Sequence, residues 1–307
     1  MYRIGENIHI ISPSVKTAIS ERDGSFFVNL ARAQKEAGAD CLDLNIGPQK
    51  KEGPEIVEWL VDVMQEAVPG MTLSFDTTNL AAIEVGLKKV GSNAFVNSTS
   101  GEEERLEKVP PLASEYGAKL IGLCLEKSGI PIGADARIGI AMEKLIPRAM
   151  ELSIPMDKFY IDPLALTVSG CQEYVPESIE TVRMLKMVMD PPPMTTIGLS
   201  NVSNSVPNEM RPLLDRVYLI MLLAAGLDSA IMNPLDEKLA EAIDIVENRD
   251  ESTALGVLYL KLFDVVAVGE ELEPDQVDMS DPEQVDVWKT YQVLMNKVIY
   301  TDSYLRL

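Results

Sequence analysis

Hydrophobic and polar positions along this chain alternate between two periods. Short apolar runs that end in Asn, Asp or Gly are followed by longer segments whose apolar residues recur roughly every three or four positions, the mark of strands feeding amphipathic helices. The first cycle is an apolar segment from Tyr2 that ends Gly5-Glu6-Asn7-Ile8-His9, then a loop, then a helix over 25–37 closed by Gly38. The pattern next predicts a strand at 41–47, a helix at 54–68, a strand at 72–77, a helix at 80–90 closed by Gly91, and a strand at 94–98. It continues with a helix at 103–116, a strand at 119–125, a helix at 136–152, a strand at 159–164 and a helix at 176–189. A strand through Thr195-Thr196-Ile197, a helix at 209–225, a strand at 229–232 and a helix from Asp236 follow, with turn residues at the joins. Eight strand and helix units in one chain predict an α/β fold of the (β/α)8 TIM barrel type over an open doubly wound sheet.

After Asn248 the regular cycle stops. An apolar helical segment at 254–268 precedes an acidic stretch with Glu270, Glu271, Glu273, Asp275, Asp278, Asp281 and Glu283, which reads mainly as a solvated face. A last helix at 287–298 is expected to pack back on the barrel. Residues 1–307 therefore read as one domain with an inserted helical, acidic segment at about 249–286.

Composition narrows the partners. A formal charge of −21 argues against nonspecific binding of nucleic acid or anionic membrane, which both need basic surface. Cys41, Cys124 and Cys171 have no paired spacing and sit in or beside apolar segments, so they read as inert thiols of a reducing compartment. Neither a charged leader with an apolar stretch nor a membrane-length apolar run is visible, and the expected location is cytoplasmic.

The barrel places catalytic groups at the C-terminal ends of its strands. Those ends carry Glu6 and Asn7, Asp43 and Asn45, Asp76, Asn97, Asp162, Asn201 and Asn233; the fifth deviates, with Glu126 and Lys127 beyond Cys124. The seventh strand runs directly into Gly198-Leu199-Ser200-Asn201-Val202-Ser203-Asn204. There Gly198 permits close approach to backbone, while Ser200, Asn201 and Asn204 supply neutral donors and acceptors. These residues form the candidate substrate surface.

What the ring lacks limits the chemistry. The single histidine, His9, excludes a multi-histidine zinc site and reads as a packed or loop-bonding side chain, and no bound metal is expected. A Schiff-base lysine at the sixth strand end, a GxSxG turn and the glycine-rich phosphate cradles GxGxxG and GxxxxGK[ST] are all missing. Carboxylates and amides without these partners match a neutral heterocycle with an amidine-like edge, such as a pterin or purine.

At these residues the chain resembles the pterin-binding methyltransferases that move a methyl group from methyltetrahydrofolate to a corrinoid protein. The likeness runs from Arg3 to about Asn248 and resumes at 287–307. It is carried by Ile4-Gly5-Glu6-Asn7, Leu42-Asp43-Leu44-Asn45-Ile46-Gly47-Pro48, Phe75-Asp76-Thr77-Thr78-Asn79, Val96-Asn97-Ser98-Thr99, Gly129-Ile130-Pro131, Tyr160-Ile161-Asp162-Pro163-Leu164, Gly198-Leu199-Ser200-Asn201-Val202-Ser203 and Val298-Ile299-Tyr300-Thr301-Asp302-Ser303. It is greatest to the methyltransferase that serves the corrinoid iron-sulfur protein of the acetyl-CoA pathway, and smaller to the folate module of methionine synthase. Asn7-Ile8-His9 stands where relatives often have Arg-Ile-Asn, and the acidic insertion is absent from shorter members. Dihydropteroate synthases share the barrel, but their phosphate-binding loops and Ser-Arg-Lys run are not found here.

The resemblance implies that Asp76, Asn97 and Asp162 hold the pterin ring and that Asn201 is catalytic, contacting the nitrogen that gives up the methyl. It further implies methyltetrahydrofolate or tetrahydrofolate as substrate, a homodimer, and a corrinoid (cobalamin) carried by a separate partner, since the DxHxxG signature of a corrinoid-binding domain is lacking. Because a tertiary amine leaves poorly, direct displacement to cobalt(I) requires a proton or strong hydrogen bond at pterin N5. Asp76 and Asp162 are expected to act ionised. Two alternatives use the same residues: a methyltransferase of an O-demethylase or methylamine pathway that methylates tetrahydrofolate from a methyl-corrinoid protein, and a non-catalytic folate-binding subunit.

Overall fold

Eight short parallel strands join edge to edge in the order β7-β6-β5-β4-β3-β2-β1-β8 in the computed structural model, which describes residues 1–306. They are β1 (Tyr2–His9), β2 (Cys41–Asn45), β3 (Thr72–Asp76), β4 (Ala94–Ser100), β5 (Lys119–Leu123), β6 (Phe159–Asp162), β7 (Met194–Thr195) and β8 (Ser229–Met232). The ring closes between its two ends: the Ile231 N–H donates to the Ile197 carbonyl at 2.8 Å, and Gly198 bridges Ile231 in parallel. Below that bridge the Asp228 carboxylate accepts from Thr195 N–H at 2.6 Å and Thr195 Oγ1 at 2.9 Å, and pairs with Lys186. The barrel expected from the alternation is thus observed.

Helices α1 (Pro13–Glu21) and α2 (Gly24–Glu36) connect β1 to β2, followed by α3 (Gly53–Ala67), α4 (Leu80–Val90) and α5 (Glu103–Tyr116). Between β5 and β6, α6 (Ala134–Ile140) passes through a π turn into α7 (Ile146–Glu151). A four-residue turn of helix, α8 (Val168–Cys171), and α9 (Val175–Leu185) precede β7; α10 (Arg211–Ala224) and α11 (Glu237–Asn248) flank β8. Starts are set by local chemistry. Asn79 Oδ1 accepts from the Ala81 and Ala82 amides and Asp236 Oδ1 from those of Lys238 and Leu239, caps of a kind that contribute about 1 kcal/mol each.

Helix α1 lies where the sequence pattern predicted only a loop. Its signal is Ser12-Pro13, a proline at the first helical position whose missing N–H costs nothing there. At the seventh strand the expected apolar run is mostly loop: β7 ends at Thr195, and residues 199–203 wind into a 3-10 turn.

Beyond α11, helix α12 (Ala254–Ala267) lays Leu258, Tyr259, Leu260, Leu262 and Val266 against α10 and α11, and α13 (Pro282–Leu294) packs on α10. The apolar face of α12 is therefore covered by its own chain. Buried Leu272 and Val277 pin the intervening segment, while Glu270, Glu271, Glu273, Asp275, Asp278 and Glu283 are exposed, as a solvated face requires. Helix α13 begins at Pro282, earlier than the pattern predicted, with Asp281 capping the Glu283 amide. Among the described residues no helix is long and apolar enough to cross a membrane.

Candidate active site

Strand periodicity builds the site. On β2 the odd-numbered residues Cys41, Asp43 and Asn45 share one face, while Leu42 and Leu44 lie in the cluster shared with the helices. The same alternation sets Leu73, Phe75, Val96, Leu120 and Ile161 in that outer cluster. Ile4, Cys41, Phe95, Ile121 and Tyr160 form a separate buried cluster inside the barrel, its floor. Lys119 Nζ lies there 4.9 Å from the Phe95 ring centre and 5.5 Å from that of Tyr2. Two positions further along β1, β2, β4 and β6 from Ile4, Cys41, Phe95 and Tyr160 stand Glu6, Asp43, Asn97 and Asp162. Apolar floor gives way to a polar layer facing the mouth.

Parallel register puts Asn45, Asp76 and Asn97 side by side on β2, β3 and β4. Asn45 Nδ2 donates to Asp76 Oδ2 at 2.5 Å; Ser74 Oγ and Asn97 Nδ2 both donate to Asp43 Oδ1, at 2.5 and 3.1 Å. The Asp43 and Asp76 carboxyls stand close enough to influence each other's charge. Burial and the neighbouring Asp76 charge hold Asp43 well above the usual carboxylate range, and burial raises Asp76 to about 6 against the pull of Asn45, Asp43 and Arg105. Two buried carboxyls this close share a proton because ionising both is costly. The pair presents donor and acceptor together.

Asp162 is 4% exposed and accepts from the Leu164 amide at 2.7 Å, with the Gly198 backbone close by. Burial nevertheless pushes it up to about 7, with the Arg137 guanidinium opposing. Desolvation works against the ionised form of both carboxyls, more so at Asp162, while an Asp76 at about 6 is still largely ionised at neutral pH. Gly198 also leaves room for Asn201. A Cβ built on Gly198 would fall 2.8 Å from Asn201 Nδ2, so the amide lies directly over this glycine on an exposed residue.

A third group lies behind the 3-10 turn. Ser200 Oγ donates to Glu6 Oε2 at 3.0 Å, beside a cavity of about 270 Å³ lined by Glu6, Ser200, Arg211, Asp215, Asn233 and Asp236. Burial raises Glu6 and Asp215 to about 7 each, with Arg211 lowering both. Asn7 Nδ2 donates to Asn233 Oδ1 at 2.9 Å, tying the ends of β1 and β8.

The ring read from the strand ends is thus gathered into connected groups: Asp43, Asn45, Asp76 and Asn97; Asp162 with Gly198 and Asn201; Glu6 with Ser200; and Asn7 with Asn233. Asn204 is exposed, and its bonds are made through backbone: its carbonyl accepts from Thr167 Oγ1 at 2.5 Å. At the fifth strand Glu126 pairs with Lys144 at 2.5 Å instead of Lys127. His9 Nδ1 accepts from the Ile11 amide at 3.1 Å, a loop bond as anticipated. Cys41 and Cys124 are buried, and Cys171 is partly exposed.

Helical residues complete the site and were not foreseen. Gln34 on α2 is fully buried and accepts from the Asn7 amide at 3.3 Å. Arg137 on α6, equally buried, donates to the Pro131 and Leu164 carbonyls at 3.0 and 3.3 Å. Arg105, Arg211 and Asp215 also reach the mouth from helices. Their only advance signal is a charge beside the apolar stripe of a helix.

A model of the pterin binding enzyme family matches residues 12–233. The chain is 29% identical over 247 residues to the methylcorrinoid:tetrahydrofolate methyltransferase of Eubacterium limosum, covering 79% of this chain and 89% of that protein. It is 28% identical over 256 residues to the methionine synthase of Mycobacterium tuberculosis, covering 78% of this chain and 21% of that much longer enzyme. Among solved structures, a dihydropteroate synthetase with product superposes with a TM-score of 0.57 at 16% identity, covering 81% of this chain and 93% of that one. The Yersinia pestis dihydropteroate synthase gives 0.55 at 17% identity, covering 81% and 92%. At such identities the structures speak for the barrel alone. The family model, by contrast, extends from the loop after β1 to the end of β8 and takes in Asp43, Asp76, Asn97, Asp162 and Asn201, and the chain belongs to the pterin binding enzymes.

Proposed function

We propose that this enzyme transfers a methyl group between N5 of a tetrahydrofolate and the cobalt of a corrinoid held by a separate protein. The observation that carries the reading is the pairing of two features at one mouth: the network of buried Asp43 and Asn97 with half-buried Asn45 and Asp76, and the exposed Asn201 amide over Gly198. The Asp76 carboxylate meets an N–H edge of the pterin while the Asn97 amide and the Asp43 carboxyl fix the ring plane, and Asp162 accepts from the opposite side. A ring so held leaves N5 at the open rim, where Asn201 donates a hydrogen bond that strengthens as charge develops on the nitrogen. The corrinoid, brought by the partner, supplies a cobalt(I) nucleophile in the folate-demethylating direction: its electron pair forms the cobalt–methyl bond, the N5–methyl pair stays on N5, and N5 takes a proton from solvent.

The same residues serve the opposite direction, methylation of tetrahydrofolate, in which the N5 lone pair attacks the methyl of the methylcobalt(III) corrinoid, the cobalt–carbon pair leaves with cobalt as cobalt(I), and the N5 proton passes to solvent while Asn201 stays hydrogen-bonded at N5. The name of the Eubacterium limosum relative, a methylcorrinoid:tetrahydrofolate methyltransferase, favours this reading. We extend the proposal to a homodimer in the cytoplasm, with residues 1–307 acting as one barrel unit.

The test is turnover of methyltetrahydrofolate with reduced free cobalamin, and of methylcobalamin with tetrahydrofolate, followed by the cobalamin spectrum. Methyl transfer in either direction supports a catalyst. Binding of folate with no transfer in both assays would leave a folate-binding subunit.

A further inference from the structure

Leu164 carries a backbone that a leucine seldom adopts. Its φ is +69°, in the left-handed region, and a bulky residue stays there only when its surroundings hold it. Two bonds supply the hold. The Leu164 amide donates to Asp162 Oδ1 at 2.7 Å across Pro163, and the Leu164 carbonyl accepts from Arg137 Nη1 at 3.3 Å. Both main-chain groups of the residue are thus engaged, one by a carboxyl of the mouth and the other by a helical side chain.

Arg137 is placed for this. It is fully buried one turn into α6, and its Nε donates to the Pro131 carbonyl at 3.0 Å, so the guanidinium joins the loop before α6 to the loop after β6. The start of α6 is itself fixed, since the Ala134 amide donates to Glu177 Oε2 on α9 at 2.8 Å. A planar fork can meet two carbonyls on separate loops, which the single point of charge of a lysine cannot. The burial is also unfavourable in itself. Arg137 Nη2 is buried without a hydrogen-bond partner, and a guanidinium left partly unmatched in the interior is a poor source of stability. A task at the site explains why it is there.

An Asp carboxyl bonded to the amide two residues on is fixed in rotation, so the conformation of Leu164 sets the edge that Asp162 offers a ligand. We propose that Arg137 is a positioning residue: by holding Leu164 at positive φ it keeps the Leu164 amide on Asp162 Oδ1, and so fixes the plane in which that carboxyl meets the pterin. The pterin rests on the proposed function; the hold on Leu164 does not. Without the fork Leu164 relaxes to negative φ, its amide turns away and Asp162 is free to rotate. Affinity then falls through Asp162 and through no other contact.

Two measurements on the full chain test this. The first reads Leu164 without ligand, from the NOE between its own amide and α protons, which lie closest at positive φ. In leucine-labelled protein, with Leu164→Gly giving the assignment, this NOE should be strong in wild type and fall severalfold in Arg137→Lys and Arg137→Gln. A weak NOE in wild type, or one unchanged in the arginine variants, overturns the proposal.

The second is a cycle of tetrahydrofolate affinities measured by calorimetry. Arg137→Lys should lose about tenfold, the worth of one hydrogen bond, in the wild-type background and nothing further in Asp162→Ala, since both act through one carboxyl. A loss that persists undiminished in Asp162→Ala overturns the assignment. Added to Arg137→Lys, Leu164→Gly should return most of the loss, because glycine takes positive φ without a Cβ to crowd it; a merely structural arginine would gain nothing from that change. Leu164→Pro keeps Arg137 but is locked near φ of about −65°, and it decides the case if neither arginine variant folds. A loss there that vanishes in Asp162→Ala supports the proposal, and wild-type affinity overturns it. If wild type binds no tetrahydrofolate, the pterin reading falls while the NOE still decides the role of Arg137.

Discussion

The Ser200 hydroxyl donates to the Glu6 carboxylate at 3.0 Å, so the turn that carries Asn201 is fastened to the end of the first strand. Burial pushes Glu6 up to about 7; the Ser200 bond and the Arg211 charge pull it down. A donor to the ionised form favours that form, and its removal must raise the carboxyl further. In Ser200→Ala the Glu6 midpoint should therefore rise by about one unit, the equivalent of a charge-assisted bond of about 1.4 kcal/mol. The protonated-carboxyl infrared band, compared with that of Glu6→Gln between pH 5 and 9, reports it. An unmoved band would mean that the bond is not formed in solution.

The carboxylates of the mouth make a second prediction. Asp76→Ala and Asp162→Ala should remain folded and bind tetrahydrofolate more weakly by about 2–4 kcal/mol each, as when charge-assisted bonds to a buried ligand are lost. Asp162 also accepts from the Leu164 amide, so its removal frees an N–H group that water must then satisfy. Calorimetry at pH 8, where both carboxyls are ionised or nearly so, gives the comparison. Unchanged affinity in both variants would reduce these residues to supports of the barrel mouth.

How much of this was legible follows from where each residue sits. Asp43, Asp76, Asn97 and Asp162 end short apolar strands, and a period of two fixes which face they share once the barrel is inferred. Their mutual contacts then follow from parallel register. Gln34, Arg105, Arg137 and Asp215 lie on helices, where a polar residue beside an apolar stripe looks like any solvated position until the crossing of helix and strand is known. Arg137 is the extreme case, since a completely buried guanidinium has no sequence mark. At the seventh strand, Thr196 and Ile197 have the composition of a strand, but the chain pairs with β8 only through Ile197 and Gly198 before winding into its turn. Tertiary closure overrode propensity there.

Asp215 predicts a dependence of stability on pH. Burial raises it from 3.8 to about 7, and its Oδ1 is buried without a hydrogen-bond partner. A carboxyl whose folded pKa is raised binds its proton more tightly when folded. Its favourable contribution is full below about pH 4 and is lost as pH rises through about 7. Asp215→Asn has no proton to lose and fills the site with a neutral group of the same shape. Relative to wild type it should gain up to about 4 kcal/mol at pH 8 and less than half of that at pH 5, a difference of a few degrees in Tm for a chain of this size. Thermal unfolding of the ligand-free protein at the two pH values measures it. A gain that is the same at both would assign the effect to packing.

Gly198 and Asn201 supply the last prediction. Gly198 has φ −76° and ψ 95°, a backbone that alanine adopts freely. The new Cβ would nevertheless sit 2.8 Å from Asn201 Nδ2, and the amide must swing away because it is the end of an exposed side chain instead of packed backbone. Gly198→Ala therefore moves one functional group without unfolding the strand end. If Asn201 donates to N5 mainly in the transition state, Asn201→Ala should slow single-turnover methyl transfer at saturating folate by roughly 100-fold, with a smaller loss of affinity. Gly198→Ala should lose a similar factor, and the double variant no more than either alone, because both remove the same hydrogen bond. Losses that multiply would show that Gly198 contributes separately, through close approach of its backbone to the ring. An Asn201→Ala enzyme at the wild-type rate once saturated would make the amide part of the binding platform, with the barrier lowered elsewhere at the mouth.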